Sequence, residues 1–209
     1  MQITTLLITI EIAATIAFAM SGLIEATRKK MDVVGVFSVT FVSAFAGGTV
    51  RDILINRRPF FWVENSEYIW LILALVLAAP LLLRGMELRV TDRVMEVADA
   101  IGLGLFTISG ASLALGAGMP LVVALLLGSI TAVFGGVTRD VLCNEVPLVF
   151  VRGELYTSAA WAGALLLVGL QNIGVSPVIA AWSGMAAILA ARLLAMTFRI
   201  TLPTYTERQ

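Results

Sequence analysis

The sequence of 209 residues has no histidine, one cysteine and little charge: Asp, Glu, Lys and Arg together make up 13% of it. A lone cysteine, Cys143, excludes an intrachain disulfide. Without histidine, the residue types that build zinc sites and most general-base catalysis are missing as well. Cys143 reads as a small buried apolar residue. No nucleophile–base pair and no cluster of metal ligands can be assembled from what remains, so neither an enzyme nor a bound cofactor is expected. Net charge is zero and no basic stretch alternates with aromatics, which argues against a nucleic-acid partner. A cleavable leader is not expected either, since no basic segment precedes the first apolar run and Glu11 interrupts it.

What is present is apolar sequence. Hydrophobic residues are 59% of the chain and mean hydropathy is +0.98, far from the composition of a water-soluble domain. A hydrocarbon core of roughly 30 Å takes about 20 apolar residues per helix. Seven stretches are long enough to be read as spans: Thr5–Ala26, Val33–Ile55, Tyr68–Leu83, Val94–Gly116, Leu121–Leu142, Leu155–Gly169 and Val178–Phe198. The expected fold is therefore an all-α integral membrane protein, one domain over 1–209, with short loops and a polar tail from Pro203 to Gln209. Orientation follows from the fourteen basic residues. Arg28, Lys29, Lys30, Arg84, Arg89, Arg93, Arg139, Arg152, Arg192, Arg199 and Arg208 fall on one side if the helices alternate, and only Arg51, Arg57 and Arg58 on the other. That bias puts the N-terminus outside and the C-terminus in the cytoplasm.

The chain repeats itself. Sliding it by 88 residues aligns Glu11–Trp62 with Asp99–Phe150 without a gap and gives 14 identities in 52 positions. Ser21-Gly22 falls on Ser109-Gly110, Gly47-Gly48 on Gly135-Gly136, Arg51-Asp52 on Arg139-Asp140, Asn56 on Asn144, Pro59 on Pro147, and Glu11 on Asp99, acid for acid. Biased apolar sequence does not produce aligned Arg-Asp, Asn and Pro by chance, so a duplication is the better account. Each copy holds three helices, an odd number, so the second enters the membrane upside down relative to the first. The expected plan is 3+3+1, with repeats over 1–90 and 91–175 and an unpaired seventh helix and tail over 176–209.

Glycine pairs weaken a helix interior by about 1 kcal/mol per residue against alanine and leave its backbone bare. Their recurrence suggests that the second and fifth helices are kinked at Gly47-Gly48 and Gly135-Gly136. Residues three or four apart share a helix face. Thr40, Ser43, Gly47 and Arg51 thus form a polar stripe that Gly128, Thr131, Gly135 and Arg139 repeat position for position. Ionisable groups within hydrocarbon cost at least about 2.5–3.5 kcal/mol each and call for a partner or a role. Arg51 and Asp52, with Arg139 and Asp140, are candidates to gate or brace the kinks, and Glu11 and Asp99 are candidate counter-charges. Snorkelling of the two arginines to the interface, and a surface position for Asp99, stand as alternatives. Arg57 and Arg58, followed by Pro59 and Phe60-Phe61-Trp62, read as an interface anchor.

At these residues the sequence resembles the prokaryotic members of the TRIC family, the trimeric intracellular cation channels, which overlap a domain family labelled as a glycine transporter. The resemblance rests on Gly47–Asp52 and Gly135–Asp140, on Asn56, Pro59, Asn144 and Pro147, and on the 3+3+1 plan; it covers essentially the whole chain. It implies a homotrimer among membrane lipids in the inner membrane of a prokaryote, each subunit conducting a monovalent cation, K+ or Na+. Ser43, Gly47, Gly48, Thr131, Gly135 and Gly136 would line the path. Where the fuller motif has three glycines, this chain has Ala46 and Phe134 before its pairs, which makes Phe134 a candidate to narrow or plug the path. Read without the resemblance, the same residues also suit a secondary transporter of a small zwitterion such as glycine, with an arginine for its carboxylate and Asp52 or Asp140 for its ammonium group.

Overall fold

A computed structural model of the chain describes residues 3–83, 88–150, 155–198 and 200. All regular structure among them is helical: α1 (Ile3–Arg28), α2 (Val33–Leu54), α3 (Phe61–Glu64), α4 (Glu67–Leu82), α5 (Leu88–Gly116), α6 (Leu121–Leu142), α7 (Thr157–Asn172) and α8 (Pro177–Phe198). Arg84, Arg152, Arg199, Arg208 and the tail from Pro203 lie outside the described residues. Five helices, α1, α2, α5, α6 and α8, are long and apolar enough to cross a membrane. The expected third and sixth crossings correspond to α4 and α7, which have 16 residues each. At 1.5 Å per residue these reach about 24 Å, short of a 30 Å core. The sequence reading also missed α3, a single turn between α2 and α4.

The repeated Asn and Pro have a local explanation. Asn56 and Asn144 each follow a helix end in the left-handed region, at φ 55° and 56°. The next amide then turns back, Arg57 N donating to Asp52 O and Glu145 N to Asp140 O, both at 2.8 Å. This is the closing bond pattern of a helix that stops in a left-handed residue, a conformation asparagine tolerates better than most. Pro59 and Pro147, three residues on, cannot resume the helix.

The core is built around the repeat. α1, α2, α5 and α6 pack against one another, α4 flanks α2 and α1, α7 flanks α6 and α5, and α8 lies against α7 and α5. Phe18 and Phe106, 88 residues apart, stack on each other with ring centroids 5.6 Å apart. α2 and α6 cross so closely that a Cβ added at Gly47 would stand 1.9 Å from the Thr131 carbonyl oxygen, and one at Gly135 2.5 Å from that of Ser43. Because Ser43 and Thr131 are themselves repeat mates, the contact is reciprocal, as a two-fold relation requires. Gly22 and Gly110 admit Ser43 and Thr131 in the same way, at 2.7 and 2.6 Å to the nearest side-chain atom. The glycine pairs interrupt neither helix; α2 and α6 run through them as unbroken α-helix. Their bareness lets two backbones touch.

Outside this core the usual order is inverted. Trp70, Leu77, Leu81, Phe150 and Phe198 are exposed, whereas Arg51, Asp52, Asp99 and Arg139 are buried. An apolar skin over a polar interior is what a lipid solvent selects.

Gly47→Ala and Gly135→Ala are each expected to lower stability by about 1–3 kcal/mol or more, because the obstruction is backbone and cannot swing aside. Gly169→Ala, with nothing within 4 Å of the added Cβ, is expected to be neutral or stabilising by up to about 1 kcal/mol. Thermal unfolding in detergent measures all three.

Candidate functional site

One turn beyond each glycine pair an arginine turns into the protein, and a cluster forms around it. Arg51 is fully buried. Its Nε and Nη2 both donate to Asp52 Oδ1, at 2.9 and 2.7 Å, and Nη1 lies 2.5 Å from Glu11 Oε1 and donates to Ser109 Oγ at 3.3 Å. Arg139, equally buried, repeats this. Its Nε donates to Asp140 Oδ1 at 2.8 Å, Nη2 lies 2.8 Å from the same oxygen, and Nη1 donates to Asp99 Oδ1 at 2.8 Å and to Ser21 Oγ. Each acid partner, Glu11 or Asp99, comes from the arginine's own repeat, and each serine from the other. The second oxygen of each aspartate holds the returning loop: Asp52 Oδ2 accepts from Phe61 N at 3.0 Å, Asp140 Oδ2 from Leu148 N at 3.1 Å.

Two cavities of similar size, each with charged side chains in its wall, reach these clusters, the first at Glu11 and the second at Arg139 and Asp140. The first, 330 Å³, is walled by Glu11, Arg57, Glu64 and Tyr68 together with apolar residues of α1. The second, 370 Å³, is walled by Glu25, Arg28, Arg139, Asp140 and Glu145. They share no lining residue, and the α2–α6 crossing links the helices that carry the two arginines. Counting ionised side chains in the walls, each cavity carries one more carboxylate than cation. At the rim of the second, Arg28 pairs with Glu25 at 2.9 Å and Asp92 at 3.1 Å, and Lys29 pairs with Glu145. That last bond raises the Lys29 pKa and lowers that of Glu145. Cys143 is buried beside this rim, and desolvation pushes its thiol up to about 11, so it stays protonated and unreactive. Among the described residues no three Asp, Glu, Cys or His side chains converge as a metal site.

The structure thus brings together Arg51, Asp52 and Glu11, and separately Arg139, Asp140 and Asp99. Neither arginine snorkels, and Asp99 is not at the surface. Ser43 and Thr131 are fully buried at the crossing; Ser43 Oγ donates to Phe18 O at 2.9 Å, and Thr131 Oγ1 bonds back to Leu127 O at 2.6 Å. Phe134 is not with them. It is 39% exposed and lines an apolar groove with Val149, Phe150 and Trp161, because one residue of helix rotates it about 100° from the face of Gly135. Of the two arginines read as an interface anchor, Arg58 lies with its guanidinium 4.1 Å over the Phe60 ring, whereas Arg57 leaves it. Arg57 turns inward, 3.3 Å from Glu11 and 3.9 Å from both Asp52 and Glu64. Ser21 and Ser109 were visible in the repeat without being nominated. Tyr68 and Tyr156 were missed, although extending the 88-residue offset six residues beyond Trp62 pairs them. Tyr68 lines the first cavity beside Glu11; the Tyr156 hydroxyl faces Asp99.

Comparison with known proteins converges on one group. The glycine-transporter family model matches twice, over residues 8–84 and 96–172, again offset by 88. A UPF0126 membrane protein of Vibrio cholerae is 36% identical over 97% of this chain and 84% of its own length. The UPF0126 inner membrane protein YadS of Escherichia coli K12 is 32% identical over 94% of each. Among solved structures, the TRIC trimeric intracellular cation channel orthologue from Rhodobacter sphaeroides superposes with a TM-score of 0.87 at 34% identity, over 93% of this chain and 98% of that one. A structure solved to explain conductance through TRIC cation channels gives 0.82 at 33%, over 96% and 98%.

Removing one partner of a buried ion pair strands the other, typically at 3–5 kcal/mol. Arg139→Met is therefore expected to lose roughly that much stability in detergent unfolding. Adding Asp99→Leu should recover part of it, since one stranded carboxylate is then gone; no recovery would show that the two do not act as a pair.

Proposed function

Because the chain belongs to the glycine-transporter family of integral membrane proteins, the family into which the TRIC channels fall, we propose that it is a passive channel for monovalent cations, with a path through each subunit of a homotrimer. The observation that carries this reading is the pair of cavities with charged side chains in their walls, the first reaching Glu11, the carboxylate paired with Arg51, and the second reaching Arg139 and Asp140 themselves. The carboxylate excess in both walls favours cations over anions. The arginines, which would otherwise repel a cation, are neutralised by their own neighbours.

The path runs from the first cavity past Glu11 and Arg57 to Arg51 and Asp52, along Ser43, Gly47 and Gly48, then Thr131, Gly135 and Gly136, to Arg139 and Asp140. Backbone carbonyls bared by the glycines and the hydroxyls of Ser43 and Thr131 coordinate K+ or Na+ there. A bend of α2 and α6 at the glycine pairs, with rearrangement of the two clusters, opens it. No cofactor takes part. The assembly crosses the inner membrane seven times, α4 and α7 included, as two inverted repeats over 1–90 and 91–175 with a closing segment over 176–209. The N-terminus is outside and the second cavity opens to the cytoplasm.

Flux through purified protein in a planar bilayer decides the class. Under a K+ gradient, discrete unitary currents reversing near the K+ equilibrium potential are expected. Silence in the bilayer together with glycine-dependent uptake into matched liposomes would instead assign Gly47–Asp52 and Gly135–Asp140 to a zwitterion transporter.

A further inference from the structure

The two clusters have the same composition but not the same surroundings. In the first half Glu11 and Tyr68 line a cavity, and Tyr68 is half-buried. Their mates in the second half, Asp99 and Tyr156, are buried, Asp99 completely. The second cavity approaches from elsewhere, by way of Arg139, Asp140 and Glu145. On this side of the molecule α8 packs on α5 and α7, the mates of α1 and α4. α8 has no counterpart in the first repeat.

One residue of α8 accounts for the difference. Arg192 is buried, its guanidinium carbon lies 4.8 Å over the Tyr156 ring, and its Nη1 donates to Leu155 O at 3.3 Å. The Tyr156 hydroxyl lies beside Asp99, the acid that holds Arg139, both against Gly136 of α6. A Cβ at Gly136 would meet the Tyr156 hydroxyl at 3.1 Å and Asp99 Oδ1 at 3.3 Å, so only glycine lets both come this close to α6. Charge follows the same logic. The first cluster balances Glu11 and Asp52 with Arg51 and Arg57, the latter 29% exposed on a loop. At the mate of Arg57 the second half has Glu145, which turns away to Lys29. The second cation near that cluster is Arg192, brought in by a helix that is not part of the repeat.

On the channel reading, we propose that Arg192 and Tyr156 are positioning residues that hold Asp99, and through it Arg139, so that the second cluster stays closed. The first cluster is braced differently, by Arg51 lying 5.6 Å over the Phe61 ring and by the part-exposed Arg57. A guanidinium stacked on a desolvated aromatic ring, with a carbonyl to bond, is a fixed brace. A half-exposed arginine shared among three carboxylates can exchange partners with water.

The test uses full-length protein carrying Cys143→Ala and a reporter, Thr131→Cys, placed on the path between the clusters. A membrane-impermeant maleimide is applied to the face that carries Lys29, and unitary currents are recorded in parallel. Arg192→Gln and Tyr156→Phe are each expected to speed labelling about tenfold, which corresponds to a contact of roughly 1.4 kcal/mol, and to raise open probability at unchanged unitary conductance. Arg192→Lys keeps the cation over the ring and is expected to stay near the parent, which separates positioning from general loss of fold. Tyr68→Phe is expected to leave labelling from this face unchanged. If Arg192→Gln and Tyr156→Phe label no faster than the parent, or if Tyr68→Phe does the same as Tyr156→Phe, the proposal fails. Labelling does not depend on conduction: absence of current in the parent would remove the channel reading and still leave the brace to be judged.

Discussion

Arg51 and Arg139 carry charges that no protein environment removes, since a guanidinium keeps its proton even when buried. Everything around them answers that constraint. An aspartate stands next in sequence, an acid one helix away, and a hydroxyl reaches across from the other repeat. The neighbouring aspartate also captures the loop that follows its helix, so neutralising the charge and shaping the end of the helix are one event. The cost of burying so many ions, several kcal/mol for each before pairing, explains why the set is closed and why it occurs twice.

The second constraint is distance. Partners can reach the arginines only because α1, α2, α5 and α6 come together closely, and they do so through glycine. Where Gly47 meets the Thr131 carbonyl and Gly135 that of Ser43, one methyl group would push the helices apart. In a membrane, where the apolar solvent gives helices little reason to associate, close backbone packing and satisfied polar groups supply the adhesion. The crossing and the clusters therefore stabilise one another.

The repeat was legible in the sequence, and with it Glu11 and Asp99 as candidate counter-charges, because offset identity at charged positions survives any uncertainty about packing; which arginine each acid meets was not. The glycine pairs were legible as special but not as unbroken helix: local propensity reports weakness, and only the neighbouring helix reports what the weakness is for. Phe134 was misplaced by the same gap, since adjacency in sequence to Gly135 is nearly a right angle on a helix. Arg57 was read together with Arg58 and the aromatic run that follows; nothing local distinguishes two adjacent arginines of which one stacks on Phe60 and the other turns to Glu11. Arg192 drew no notice because its meaning lies in Tyr156, and Tyr156 lay just past the point where the alignment stopped.

The exchanged serines bind the two halves into one unit. Ser109 bonds to Arg51 and Ser21 to Arg139, so each half completes the other's cluster and neither is finished alone. Either half taken by itself would hold a buried guanidinium one acceptor short, and separating the halves would cost both clusters at once.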